Sequence, residues 1–408
     1  MSDRDSVSSE VKYGLPEKVL FCSRCVISNQ RPSSTVEFKH TATTKKETIG
    51  FDALGVCSAC RFQEMKQSQI DWKKREEELL ALLDQHRSVD GSYDCIVPGS
   101  GGKDSAFTSH MLKEKYGMNP LTATWSPHLY TDIGRKNMDR WIHTGGFDNI
   151  LFTPNGRVHA HLTKLAFENL LHPFQPFIIG QRHIGPRFAV KFNVPLVFYG
   201  ENQAEYGNSI EQNESPVMKR EFYAFDQSLS DLYLGGVSAQ ELVDTHQVSL
   251  RDLNPYLPPR KDDIERTGVE VHYLGYYLKW DPQECFYYAS QHTGFQPNEE
   301  RTEGSYSKYS SIDDKIDPFH YYTTLIKFGI GRATYDAAQE IRTGKITREE
   351  GVTLVRRFDT EFPQKYFQEF LAYIGINEER FWDVVNRGRS PHLWEQVNGE
   401  WFLKHQVS

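Results

Sequence analysis

No run of apolar residues in this 408-residue chain is long enough to span a bilayer, and positive charge is not in excess. The formal net charge is −8 and the isoelectric point lies near 6.0, which argues against a generic nucleic-acid surface. Met1–Lys12 is polar and has no leader pattern, so the expectation is a soluble cytoplasmic protein without membrane insertion. Internal repeats and low-complexity tracts are absent, which excludes solenoids and linker-type chains. Cysteine is scarce at six residues, too few for a disulfide scaffold at this length. Aromatic residues are plentiful, with 25 Phe, 21 Tyr and 7 Trp, as suits large buried faces or stacking sites. The length allows two or three domains.

Two common phosphate signatures are also missing around the most informative stretch, Tyr93–Ser105. Tyr93–Val97 reads as a short buried strand, and from Asp104 onward Ala106, Phe107, Met111 and Leu112 fall on one helical face. Between them runs Ser100-Gly101-Gly102-Lys103-Asp104-Ser105. A strand turning through glycines into a helix N-terminus exposes bare amides to an anion. The Walker spacing fails, because Val97 stands where its first glycine belongs and Asp104 follows Lys103. The dinucleotide pattern fails as well, with Asp104 at its third glycine. What matches is the S-G-G-x-D-S loop of PP-loop ATP pyrophosphatases, which bind ATP, transfer AMP to an oxygen and release pyrophosphate.

Strands and helices alternate after this loop. Strands are expected at Pro120–Trp125, Asp148–Phe152, Val194–Tyr199 and Val269–Tyr277, and helices at Asp132–Thr144, His159–Leu171 and Gln181–Phe192. This predicts an α/β fold with a Rossmann-like parallel sheet and ligands at the carboxyl ends of the strands. Trp125, Glu201, Asn202 and Glu205 fall at such ends; Asp132 is equally well an N-terminal cap.

Four of the cysteines form two C-x-x-C pairs, Cys22/Cys25 and Cys57/Cys60, a pattern for a structural four-thiolate Zn²⁺ site in a zinc-ribbon-like module. Thr35–Phe38 and Glu47–Phe51 are candidate hairpin strands within it. The expected organisation is a knuckle module at 1–70, a connecting helix at 71–90 with Leu79, Leu80, Leu82 and Leu83 buried, and a nucleotide domain at 91–310. That domain carries an insertion at about 203–266 and a lid at Gln296–Ser310; a helical region follows at 311–408, with a capping box at Thr347–Glu350.

Taken together, the chain resembles the bacterial N-acetyl sugar amidotransferases of surface-polysaccharide biosynthesis, a branch of the PP-loop superfamily. The residues that carry the resemblance are the paired knuckles, Ser100–Ser105, Tyr130-Thr-Asp-Ile-Gly134, Gly146-Phe-Asp-Asn149 and Gly200-Glu-Asn202. To these are added Tyr273-Leu-Gly-Tyr-Tyr277, Lys279-Trp-Asp-Pro282, Asp313-Asp-Lys-Ile-Asp317, Phe328-Gly-Ile-Gly-Arg332 and Ile346-Thr-Arg-Glu-Glu350. The resemblance implies that the acetamido oxygen of a nucleotide-linked N-acetyl sugar attacks the α-phosphorus of ATP, and that ammonia then displaces AMP to leave an acetamidino group. It implies roles as well. Ser100, Gly101, Gly102 and Ser105 would hold pyrophosphate, Lys103 would neutralise it, and Asp104 would bind Mg²⁺. Glu201 and Asn202 would hold a second Mg²⁺ or the imidate, and Lys279 and Arg332 would meet an anionic sugar or its diphosphate.

A glutaminase needs an activated cysteine, and neither Cys95, in a buried strand, nor Cys285 sits in a nucleophile motif. A separate glutaminase subunit is therefore the expected partner, and nothing in the sequence opposes a homo-oligomer. A PP-loop tRNA thiolase and a non-catalytic nucleotide sensor are the competing readings. The thin cysteine supply and acidic balance weigh against the first, and the intact loop weighs against the second.

Overall fold

The computed structural model describes residues 10–210, 214–226 and 228–408, so most of the polar stretch Met1–Lys12 lies outside the described residues. Five strands form one parallel sheet: β1 (Cys95–Pro98), β2 (Pro120–Trp125), β3 (Asn149–Phe152), β4 (Leu196–Tyr199) and β5 (Glu270–Tyr273). Their spatial order is β3-β2-β1-β4-β5. The order reverses between β1 and β4, which pair through Ile96 and Val197, and this opens a crevice above their carboxyl ends.

Side-chain alternation divides the sheet into two faces. Cys95 and Val97 of β1, with Leu196 and Phe198 of β4, meet Leu79 and Leu83 of α2 (Trp72–His86). Each of these two leucines is fully buried, a contribution of about 1.5–3 kcal/mol apiece. Leu80, expected on the same side, is exposed instead, because a 3.6-residue period turns it away. On the other face Ile96, Ala123 and Val197 pack against α5 (Gly156–Leu170) and α6 (Gln175–Phe192). Helices α3 (Lys103–His110) and α4 (Asp132–His143) follow β1 and β2. Helix α6 starts six residues earlier than its sequence suggests. Pro176 falls in its first turn, where its missing N–H has no intrahelical partner to lose.

Other differences have local causes. Strand β5 stops at Tyr273 and gives way to a helical turn, Leu274–Tyr277, because the Gly275 N–H donates to the Gly200 carbonyl at 2.8 Å. In the cysteine module the expected hairpin strands are replaced by a short 3-10 turn, Glu37–Lys39, and by isolated bridges such as Pro32 with Thr48. The expected lid is tied down by Arg301, whose guanidinium meets Glu361 at 2.6 and 2.7 Å, and by buried Ser305, Ser307 and Ser310.

The cysteine module begins α1 (Ser58–Ser68). The C-terminal helices are α7 (Pro282–His292), α8 (Asp317–Phe328), α9 (Arg332–Arg342), α10 (Arg348–Phe358), α11 (Phe367–Ile374) and α12 (Glu378–Gly388). They pack back onto the rest of the chain at two places. Phe319, Phe370 and Phe381 join Phe167 of α5 in an aromatic core, while Ile330, Ala337 and Val355 close over the four cysteines. Thr347 and Glu350 form the expected capping box at the start of α10. The chain ends in a hairpin, Trp394–Val397 with Glu400–Leu403, turned by Asn398 and Gly399 at φ +51° and +88°.

Candidate active site

The loop between β1 and α3 owes its shape to two glycines. Gly101 has φ +81°, and a Cβ there would lie 2.8 Å from the Met138 Cα of α4. At Gly99 a Cβ would meet the Ser105 Cβ at 2.1 Å. Gly102 caps α3 without a side chain, so no N-cap side chain bonds the first-turn amides. Ser100 donates to the Asp313 carboxylate at 2.8 Å, and Ser105 turns back to donate to the Gly102 carbonyl at 3.0 Å.

Lys103 reaches sideways to Asp104, with Nζ 2.5 Å from the carboxylate. Burial opposes the ammonium charge, but Asp104 and Glu201 outweigh it and hold Lys103 above its ordinary value. Glu201, just after β4, is raised by burial and then by repulsion from Asp104, and it accepts a hydrogen bond from the Tyr206 hydroxyl at 2.9 Å. The site therefore pairs one cation with two carboxylates at the reversal of strand order.

Asp313 and Asp317 enter this crevice from the C-terminal part of the chain. Asp313 runs so close over α4 that a Cβ on Gly134 would sit 2.4 Å from its Cα, which accounts for the glycine in Tyr130-Thr-Asp-Ile-Gly134. Thr131 secures the same crossing by donating to the Ile312 carbonyl. Asp314 between them is fully used as an anchor, accepting from the His128 ring and backbone at 2.7 Å and from the Ile316 N–H at 2.9 Å. Burial lifts Asp313, and lifts Asp317 to about 7, with repulsion from the neighbouring Asp314 adding to both.

Two cavities share Lys103, Asp104, Tyr309, Tyr321 and Arg332. One, of about 300 Å³, is lined by Ser100–Asp104, Gln181, Asp313 and Asp317. The other, of about 490 Å³, is lined by Glu201, Tyr206, Asp281, Arg31, Arg342 and Tyr335. Arg332 begins α9 over the Tyr321 ring and lies 3.3 Å from Asp336. Arg31 is 7% exposed and makes no salt bridge among the described residues; its guanidinium donates to the Pro32 carbonyl at 3.1 Å. A third cavity, of about 540 Å³, adjoins through Ser34 and Gln203 and contains none of the expected site residues.

The cysteine module grips the loop that carries Glu201. Lys66 of α1, 1% exposed, pairs with Glu205 at 2.6 Å and donates to the Trp280 carbonyl at 2.7 Å. Ser58 donates to the Gly207 carbonyl at 3.0 Å, and Ser34 to the Gln203 side chain at 2.7 Å. The four sulfurs themselves are buried and unbridged. Cys22 and Cys60 Sγ are 3.9 Å apart, and Cys25 and Cys57 Sγ are 3.8 Å apart. A tetrahedron with Zn–S arms of about 2.3 Å has edges of about 3.8 Å, so the set fits a closed structural Zn²⁺ site. Amides of Arg24, Cys25 and Cys57 donate to the Cys22 sulfur.

The structure thus brings together Ser100, Gly101, Gly102, Lys103, Asp104, Glu201 and Arg332. Asn202 lies beneath the surface, where its side-chain oxygen accepts the Ala204 N–H at 2.9 Å. Trp125 is turned into the core against Gly180 and Tyr256, lines none of these cavities, and its indole N–H finds no hydrogen-bond partner among the described residues. Lys279 is exposed and apart from both shared cavities. Asp313, Asp317, Arg31 and Arg342 were not singled out from sequence as site residues. The acid-rich run Asp313–Asp317 was a usable signal, whereas the two arginines carry none.

Comparison with known proteins bears on the C-terminal part. Residues 303–407, which include Asp313, Asp317 and Arg332, match the family model described as "LPS biosynthesis protein WbpG-like, C-terminal domain". An 82-residue stretch is 35% identical to an uncharacterized protein of Methanocaldococcus jannaschii, covering 20% of this chain and 28% of that one. No helix among the described residues is long and apolar enough to cross a membrane. The match to the C-terminal model supports a role in polysaccharide biosynthesis for a chain whose crevice unites a glycine loop, a lysine and several carboxylates.

Proposed function

We propose that the chain is a PP-loop-type, ATP-dependent amidotransferase that converts the acetamido group of a nucleotide-linked sugar into an acetamidino group. The observation that carries this reading is the Ser100–Ser105 loop at the strand-order reversal, with Lys103 and Asp104 forming the wall common to two cavities. The smaller cavity suits the phosphates of ATP: uncapped amides of α3 line it, and Lys103 faces their charge. The larger suits the sugar nucleotide, with Arg31, Arg332 and Arg342 toward its anionic part.

The acetamido oxygen attacks the α-phosphorus, and pyrophosphate leaves. Ammonia then adds to the imidate carbon, one proton is lost, and AMP departs with the oxygen. Placement and charge neutralisation do most of this work, so no protein nucleophile is needed. Glu201, raised by burial and by Asp104, is suited to take the proton from the attacking nitrogen. Asn202 holds the Glu201 loop through its cap on Gln203–Tyr206.

Asp104, Asp313 and Asp317 crowd one phosphate-sized cavity, and the raised Asp313 and Asp317 are the signature of uncompensated acids, which fits Mg²⁺ bound by these residues. Bound there, Mg²⁺ would neutralise the departing pyrophosphate. Burial pushes both spare thiols, Cys95 and Cys285, well up, so neither is suited to serve as a glutaminase nucleophile or a sulfur relay. This supports a separate glutaminase as the ammonia source and weighs against the thiolase reading.

The test is pyrophosphate release from ATP with Mg²⁺ on addition of UDP-N-acetylglucosamine or another N-acetylated nucleotide sugar. Release that depends on the sugar and disappears in Asp104→Ala, with the fold intact, is expected. Sugar-independent release, or full activity in that variant, would overturn the assignment.

A further inference from the structure

The described residues hold a second cluster with metal-ligand chemistry, distinct from the four cysteines although two of its members lie between the two cysteine pairs in sequence. Glu37 and His40 come from one 3-10 turn of the N-terminal module, and His172 follows the left-handed residue Leu171 that ends α5. All three side chains are about nine-tenths buried or more. One carboxylate oxygen, Glu37 Oε2, lies 3.3 Å from His40 Nδ1 and 3.6 Å from His172 Nε2, and the three ligand atoms all fall within 4.8 Å of one another.

These separations are long for a shared proton. In the same molecule the buried His128–Asp314 pair closes to 2.7 Å. They do suit the edges of a metal polyhedron: arms of about 2.0–2.1 Å to imidazole and carboxylate give edges of about 3.3–3.4 Å. The surroundings also resemble an outer shell. The other carboxylate oxygen, Glu37 Oε1, faces the Thr35 hydroxyl at 3.4 Å, and the Gln175 amide holds the Glu37 backbone carbonyl at 2.9 Å. His320 stacks on His172 at 5.0 Å.

We infer that Glu37, His40 and His172 form a second metal site, taking one divalent ion of the zinc type. Two imidazoles and one carboxylate are ligands that suit Zn²⁺, and His40 also borders a cavity of about 150 Å³ together with Lys46 and Lys327. Lys46 and Lys327 are the nearby cations, and they set a limit on affinity. Lys327 is already turned aside, donating to the Leu170 carbonyl at 2.8 Å. The ion would join the N-terminal module to the end of α5, a link separate from the thiolate site and independent of the proposed reaction.

Metal content of the full-length chain tests this. After saturation with Zn²⁺ and exhaustive dialysis, wild type is expected to retain two equivalents, and His172→Ala and Glu37→Gln one each. Cobalt substitution separates the sites: the variants should keep the intense thiolate-to-cobalt absorption while losing the weaker bands of a nitrogen–oxygen site. Circular dichroism identifies any variant that fails to fold, and wild-type stoichiometry with its cobalt spectrum then decides alone. One retained equivalent in wild type, or two in both folded variants, would overturn the inference, as would a second ion that washes out as adventitious.

Discussion

Replacing Lys66 by methionine probes how the cysteine module supports the loop that carries Glu201. The change keeps the length of the aliphatic stem and removes only the ammonium. Glu205, 9% exposed at its side chain, then loses its 2.6 Å partner, and the Trp280 carbonyl loses a donor at 2.7 Å. Breaking a buried pair from one side leaves a desolvated charge and costs about 3–5 kcal/mol. Glu205 is raised by burial even with its partner present, so in the variant it would take up a proton more readily. The penalty should therefore shrink as pH falls. Removing both charges in Lys66→Met/Glu205→Met should restore stability to within about 1.5 kcal/mol of wild type, since a well-packed apolar pair avoids the desolvation cost. Urea unfolding followed by tryptophan fluorescence at pH 5 and pH 8 supplies the cycle. A Lys66→Met cost below about 1 kcal/mol at pH 8, or a double variant that loses the sum of both singles, would refute the reasoning.

Three other predictions follow from the same geometry. Cys57→Ser should lower zinc retention and raise amide exchange across 201–210, while β1 and β2 stay protected; unchanged exchange there would remove the clamp from the account. Arg31→Met should raise KM for a nucleotide-linked N-acetyl sugar about 10- to 100-fold with a smaller change in kcat, the range for one hydrogen bond to a charged group. Equal loss with a neutral N-acetyl sugar would contradict that role. Lys327 is pushed down to about 7 by burial and then by Lys46. Between pH 7 and its ordinary value near 10.5 the unfolded chain binds the extra proton, so this group makes stability rise with pH by up to about 1.4 kcal/mol per unit. The rise should be absent from Lys327→Met, and a parallel pH profile in that variant would count against it.

Much of the sheet was legible because its strands are short apolar runs bounded by glycine and proline, and because the loop Ser100–Ser105 combines a turn signal with a helix start. Pro120–Trp125 was read to the residue. Local pattern fails where tertiary contact decides the backbone. The helical turn after β5 depends on Gly275 meeting Gly200, some 75 residues earlier in the chain, and no window of sequence contains both. The final hairpin was missed although Asn398-Gly399 is a strong turn signal, because the flanking strands are only four residues each.

At the site the same distinction holds. Lys103 and Asp104 could be named from the loop alone, since helix and phosphate chemistry share one short segment. Arg31 and Arg342 come from opposite ends of the chain and acquire meaning only when the module and α9 close over the crevice. Trp125 stands at a strand end, as expected, but its ring fills the space beside Gly180 instead of facing the two cavities that share Lys103 and Asp104. Strand position fixes where a residue starts, and packing fixes where it points.

Mass spectrometry with labelled ammonium follows the fate of the acetamido oxygen. The chain is incubated with ATP, Mg²⁺, ¹⁵N-ammonium and candidate N-acetyl nucleotide sugars, and the sugars are weighed by mass spectrometry beside the AMP formed. The expected product has the acetamido oxygen replaced by labelled nitrogen and is formed in step with AMP and pyrophosphate. ADP and phosphate in place of AMP, or AMP formed while every sugar keeps its oxygen with ammonium in excess, would contradict the proposed reaction.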